Sequence, residues 1–149
     1  MALITVLNGP NLNLLGTREP ETYGTVTLAE IEQRCRARAK LHGHEIDFQQ
    51  SNVEGEIISA IHATRGRSVG IILNAGAYTH TSVALHDALK AVAVPAIEVH
   101  LSNVYKREAF RHHSFISPAA HGVICGFGPV SYELAIDGLS ALVSANTKG

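Results

Sequence analysis

Cysteine is scarce in this chain. Cys35 and Cys125 are the only two in 149 residues, they lie far apart, and neither belongs to a CxxC pair. Both read as small buried hydrophobes of a protein in a reducing, cytoplasmic setting. No apolar run approaches the ~18 residues of a membrane span. The opening Met1-Ala2-Leu3-Ile4-Thr5-Val6-Leu7 is short and has no basic flank, so it is not read as a secretory signal. Charge of one sign is missing too. The formal net charge of -1 points away from nucleic acid or an acidic membrane as a partner. Repeats and low-complexity tracts are absent. At 46% hydrophobic and 17% charged residues, residues 1–149 read as one globular domain. A chain of this length can bury roughly 68–70% of its unfolded surface, enough for a core without staples.

The apolar runs are short and alternate with helical patterns. Leu3 to Leu7 reads as a buried strand, followed by a long loop from Asn8 to Gly24 punctuated by glycine and proline. Loops this long in compact domains are usually functional. Thr27-Leu28-Ala29-Glu30 has the form of a capping box, with Glu30 able to reach the Thr27 amide. Leu28, Ile31, Cys35 and Ala39 then keep helical spacing, with Arg34, Arg36, Arg38 and Lys40 on solvated faces and Gly43 as the stop. Glu45 to Gln49 is the second strand. Ser51 to Glu54 reads as a second capping box, opening a helix with Val53, Ile57, Ile58 and Ile61 inward. Val69 to Leu73, Val94 to Val99 and Gly122 to Cys125 are further strands. A helix from about Ser82 to Ala91 lies between the first two of these. Gly128-Pro129 starts a last helix, with Leu134, Ile136, Leu139 and Val143 as apolar positions. Leu101 to His121 is irregular, with room for one short helix. Strands apolar on both faces, alternating with helices, imply a parallel sheet covered on both sides. The expected architecture is α/β, a flavodoxin-like, doubly wound five-stranded parallel sheet in a three-layer sandwich.

Ligands of such sheets bind beyond the carboxyl ends of the strands. Three of those ends carry unusual polar residues: Asn8 to Tyr23, Asn74 to His80, and Glu98 to Asn103. Glu98 and His100 are two apart and share a strand face, where the carboxylate can orient the imidazole as a general acid. Other chemistries lack their parts. Gly66-Arg67-Ser68-Val69-Gly70 spells GxSxG, but the strand follows the serine where it should precede it. Gly126-Phe127-Gly128 never completes a dinucleotide fingerprint, and no Walker loop is present. His42/His44 and His112/His113 have no HExxH or Cys/His cluster beside them, and His44 falls in a turn, so no metal is expected. None of Lys40, Lys90, Lys106 and Lys148 sits at a strand end, which argues against a Schiff base. Acid–base chemistry by Tyr, Arg, His, Glu and Asn remains. A tyrosine base must drop roughly 3 units from its reference pKa of ~10, about 4 kcal/mol. One unit charge ~4 Å away at an effective dielectric of ~20 supplies about that much. Arg18 lies five residues from Tyr23 on the same loop, so it can be that charge.

Three stretches together resemble type II 3-dehydroquinate dehydratase, the dehydroquinase of the shikimate and quinate pathways. They are Gly9-Pro10-Asn11-Leu12-Asn13-Leu14-Leu15-Gly16 through Arg18-Glu19-Pro20 to Tyr23-Gly24; Asn74-Ala75-Gly76-Ala77-Tyr78-Thr79-His80-Thr81-Ser82; and Glu98-Val99-His100-Leu101-Ser102-Asn103 through Arg107-Glu108 to Phe110-Arg111. The resemblance runs end to end. It implies that Tyr23, activated by Arg18, removes a proton alpha to the ketone of 3-dehydroquinate. Asn11 would stabilise the enolate through an ordered water, and His100, oriented by Glu98, would protonate the departing hydroxyl in an anti elimination. The substrate carboxylate would sit on Leu101 and Ser102, while Asn74, His80 and Arg111 hold ring hydroxyls and the Leu14 to Tyr23 loop closes as a lid. No metal or organic cofactor is implied. The resemblance also implies trimers assembled into a dodecamer, with Asp87 reaching a neighbouring subunit's site. The competing expectations are a flavin- or nucleotide-binding domain and a non-catalytic assembly module of the same fold.

Overall fold

The computed structural model describes residues 2–17, 21 and 24–148. Its strands are β1 (Ala2–Asn8), β2 (His44–Gln50), β3 (Gly70–Asn74), β4 (Ala96–His100) and β5 (Gly122–Cys125). The helices are α1 (Leu28–Leu41), α2 (Glu54–Ala63), α3 (Val83–Val92) and α4 (Val130–Lys148). All strand pairs are parallel, in the order β2-β1-β3-β4-β5. The flavodoxin-like doubly wound sheet expected from the sequence is therefore the one observed. Among the described residues no helix is long and apolar enough to cross a membrane.

The period-2 alternation of a strand divides the core in two. Ile4, Val6, Ile72, Ile97 and Val99 face one way and pack with α1 and α4 through Ile31, Cys35, Tyr132 and Leu139. Leu7, Ile71, Leu73 and Ala96 face the other way and pack with α2 and α3 through Ile57, Ile61, Leu85 and Leu89. Each fully buried aliphatic side chain contributes roughly 1.5–3 kcal/mol. By the same parity, Glu98 and His100 leave β4 on the side of Ala96, toward α3. This places a carboxylate and an imidazole at the open end of the second core.

Several local expectations are corrected. At α1, Thr27 Oγ1 caps the Glu30 amide at 3.2 Å, but the Glu30 carboxylate meets the Thr27 hydroxyl at 3.4 Å rather than its amide. The cationic side chains of α1 are solvated as expected, with Arg34, Arg36 and Lys40 exposed, and Arg36 also pairs with Glu32 and Arg38 with Asp137 of α4 at 2.6 Å. Arg38 foremost, with His42 beside it, holds the Asp137 carboxyl down to about 2. Ser51 is not the cap of α2. Its hydroxyl accepts from the Val53 amide at 2.9 Å and donates to Glu56, so the helix begins one residue after an exposed Val53. Leu134 is exposed, and His44 opens β2 instead of lying in a turn. The 101–121 segment contains three 3-10 turns, Val104–Lys106, Ala109–Arg111 and Ser117–Ala119. Among the described residues of the loop after β1, Leu12–Leu14 form a 3-10 turn.

The sheet changes direction between β1 and β3, whose last residues Asn8 and Asn74 are in register. Gly9 follows immediately, and its amide donates to the Asn74 carbonyl at 2.8 Å. A Cβ here would lie 2.3 Å from the Ala75 carbonyl oxygen, a main-chain atom that cannot step aside. Gly9→Ala should therefore lower the urea midpoint by the equivalent of about 1–3 kcal/mol with an unchanged slope. An unaltered midpoint would show that the two strand ends are not locked at this distance.

Candidate active site

The site is organised on the end of β4. Glu98 is 2% exposed and His100 is 7% exposed. His100 Nε2 lies 2.5 Å from Glu98 Oε2. Ser114 Oγ lies 3.0 and 3.2 Å from the two carboxylate oxygens, and the Ser117 hydroxyl donates to Oε1. Burial pushes the Glu98 carboxyl up, but the His100 bond and charge, with the two serines, more than offset it and hold it below its ordinary value. An ionised carboxylate with that set of donors keeps the proton of the shared bond on Nε2 and leaves Nδ1 as the nitrogen for a reacting group.

The ends of β1 and β3 form the second wall. Asn74 lies at the cleft with its side chain bonded to Tyr132 Oη (2.9 Å) and the Gly76 amide (3.2 Å). Asn11 sits in the left-handed region at φ 69°, its amide donating to Asn52 Oδ1 at 3.0 Å. That conformation suits asparagine and turns the chain sharply from β1 into the cleft. His80 Nδ1 lies 2.8 Å from the His113 carbonyl, which can only accept, so Nδ1 carries a proton. Burial holds the His80 imidazole below its ordinary pKa, and the neutral ring presents Nε2 as an acceptor. Arg111 is oriented by Glu108 at 2.6 Å and stacks on Phe110 with its guanidinium carbon 5.1 Å from the ring centre.

These residues meet in one cleft. Asn11, Asn74, His80, His100, Leu101, Ser102 and Arg111 all line it, and it encloses about 630 Å³ including its open mouth. Glu98 stands behind His100 rather than on the wall. Asp87 is exposed on α3 and does not line the cleft of its own chain. Arg18 and Tyr23 lie outside the described residues. Among the described residues no three His, Cys, Asp or Glu side chains gather as a metal site needs.

Sequence reasoning missed four participants. Arg107 lines the cleft. Ser114 and Ser117 hold Glu98, and the local pattern Ser114-Phe115-Ile116-Ser117-Pro118 signals only a turn, in which Ser114 Oγ accepts from the Ile116 and Ser117 amides. Tyr132 comes from α4, where its spacing reads as a core position.

A doubly wound α/β sandwich with an acid–base pair at the carboxyl edge beside its switch point is the class these features define. The chain belongs to the dehydroquinase class II family, whose family model matches residues 2–140. It is 60% identical over 142 residues to a protein named 3-dehydroquinate dehydratase from Dinoroseobacter shibae, covering 95% of each chain. It is 61% identical over 134 residues to 3-dehydroquinate dehydratase 2 from Pseudomonas aeruginosa, covering 90% of each. The crystal structure of type II dehydroquinase from Butyrivibrio crossotus superimposes with a TM-score of 0.90 at 44% identity, over 93% of this chain and 97% of that one.

Because Glu98 is held below its unfolded pKa, its stabilising contribution is present above the ordinary carboxylate range and is lost as pH falls through its own lowered value. Ser117→Ala removes one charged hydrogen bond, a loss of about 1.5–3 kcal/mol. The variant's Tm should be lower at neutral pH and should lose less on acidification, its decline starting at the same pH as in wild type and ending at a higher one. Superimposable Tm-against-pH curves would mean that Ser117 does not hold the charge.

Proposed function

We infer that the chain is a 3-dehydroquinate dehydratase that eliminates water reversibly from 3-dehydroquinate to give 3-dehydroshikimate. The observation that carries this reading is the buried Glu98–His100 pair facing a cleft of hydrogen-bonding groups, in a chain of this family. In the proposed sequence, the Tyr23 phenolate, stabilised by Arg18, takes a proton alpha to the ketone. The electron pair passes to the ketone oxygen as an enolate, which Asn11 steadies through an ordered water. As the enolate collapses, the C–O bond beta to the ketone breaks and protonated His100 donates to the leaving hydroxyl, releasing water. Glu98 steadies the imidazolium before transfer. The reaction is redox-neutral and transfers no group to a carrier, so it calls for no redox or group-carrying cofactor, and the acid and the base are side chains.

Substrate contacts follow from donor and acceptor supply. The carboxylate is assigned to the Leu101 and Ser102 amides and the Ser102 hydroxyl, where a strand-end turn suits an anion. Asn74, His80 and Arg111 are assigned to the ring hydroxyls: Arg111 can only donate, whereas neutral His80 can accept at Nε2. The loop from Leu14 to Tyr23 would close over the ligand and bring Arg18 to the reacting centre. Residues 1–149 act as one catalytic domain in a reducing cytoplasm, assembled as trimers into a dodecamer. There Asp87, exposed on α3, reaches a neighbouring site.

Turnover of 3-dehydroquinate, followed by the absorbance of the conjugated enone product with chelator present, tests this directly. Wild type should turn over, and Tyr23→Phe should lose about 10²–10⁴-fold in kcat while still binding ligand. A near-normal rate for Tyr23→Phe would remove the tyrosine from the role of base. An inert wild type would remove the activity itself.

A further inference from the structure

Four hydrogen bonds run from β2 to the cleft. Asn8 Nδ2 donates to the Gln49 carbonyl at 2.9 Å, and Tyr132 Oη donates to Asn8 Oδ1 at 2.7 Å. Asn74 Nδ2 donates to Tyr132 Oη at 2.9 Å, and the Gly76 amide donates to Asn74 Oδ1 at 3.2 Å. Both ends of this chain are main-chain groups of fixed polarity. The Gln49 carbonyl only accepts, which sets Asn8. Asn8 then presents an acceptor to Tyr132, which must donate. Tyr132 has one proton to give, so its oxygen must accept from Asn74. The Gly76 amide can only donate, which demands the same orientation of Asn74 from the other side. Complete burial raises the Tyr132 phenol, so it remains a neutral hydroxyl.

We propose that Tyr132, which does not touch the cleft, is a positioning residue that fixes the Asn74 amide so that its second Nδ2–H is the atom presented to substrate. The Asn74 subsite then offers its remaining N–H to a substrate oxygen acting as acceptor. This rests on the role of Asn74 given under Proposed function. Without the Tyr132 hydroxyl, one anchor of the amide is gone and the donor no longer has a single direction. The contact is made equally in the ground and transition states, so its loss appears in KM rather than kcat.

Tyr132→Phe keeps the buried ring and deletes the hydroxyl. The expected result is a KM for 3-dehydroquinate about 10-fold higher, with kcat within about 3-fold of wild type. In an Asn74→Ala background the same substitution should leave KM unchanged, since the two residues act in series. A structural role alone would move Tm without this coupling. The side-chain amide of Asn74 gives a readout independent of turnover: in ¹⁵N-labelled protein its two protons should differ in exchange rate, and Tyr132→Phe should bring them together. Asn8→Ala, one link further away, should raise KM in the same direction if Tyr132→Phe proves too unstable to assay. Additive effects of Tyr132→Phe and Asn74→Ala, or an Asn74 amide indifferent to Tyr132→Phe, would overturn the assignment. Absent wild-type turnover with a Tyr132-dependent amide would strike the activity and leave this positioning intact.

Discussion

A buried carboxylate must be compensated, and the Glu98 side chain is the constraint around which this end of the molecule is built. Its side chain is only 3% exposed. Leaving such a charge unpaired would cost several kcal/mol. His100 supplies one partner from the same strand, two residues on, while Ser114 and Ser117 must come from the 101–121 segment, outside the strands and α-helices. That segment is fastened where Glu98 needs it. The Phe115 amide donates to the Thr79 carbonyl at 2.9 Å, His86 Nδ1 meets the Phe115 carbonyl at 2.7 Å, and Ile116 is fully buried in the α3 core. The irregular 101–121 stretch is thus shaped by a charge it has to satisfy, and it delivers Arg111 to the cleft as it does so.

The second constraint is topological. A parallel sheet whose chain leaves β1 first toward β2 and later toward β3 opens a crevice where the two connections part. Asn8 and Asn74 end the diverging strands in register, and each donates one side-chain N–H to an internal hydrogen bond. The close approach at Gly9 keeps the two strand ends together, so the first loop starts from a fixed point. The strand ends then carry the polar groups of the cleft at fixed positions.

Much of this was legible in the sequence because it depends on periodicity. Apolar runs at Leu3 to Leu7 and Val69 to Leu73, with helical spacing at Leu28, Ile31, Cys35 and Ala39, suffice for a parallel sheet with helices on both faces. That sheet brings the three polar strand ends to one rim. What escaped depends on tertiary contact. Tyr132 has the spacing of a core residue and is one, and its hydroxyl matters only because Asn8 and Asn74 end beside it. Ser114 and Ser117 form an ordinary turn whose partner lies 16 and 19 residues earlier. Ser51 has the letters of a cap, but its hydroxyl is bonded to the Val53 amide and Glu56, and the helix starts three residues later at Glu54. Arg38 is solvated as its spacing suggests, but its partner Asp137 could not be read from the sequence because it is 99 residues away on α4.

An ionised Glu98 holds the proton of the shared bond on His100 Nε2 and leaves Nδ1 for the cleft. Nitrogen NMR of histidine-labelled protein at neutral pH reads this directly, with the His100 signals identified by their loss in His100→Ala. An ionised Glu98 predicts a protonated Nε2 with the strongly downfield proton of a short hydrogen bond to a carboxylate. A bare Nε2 accepting a proton from Glu98 would mean that the carboxyl is neutral, and the orientation of the acid in this site would have to be reversed.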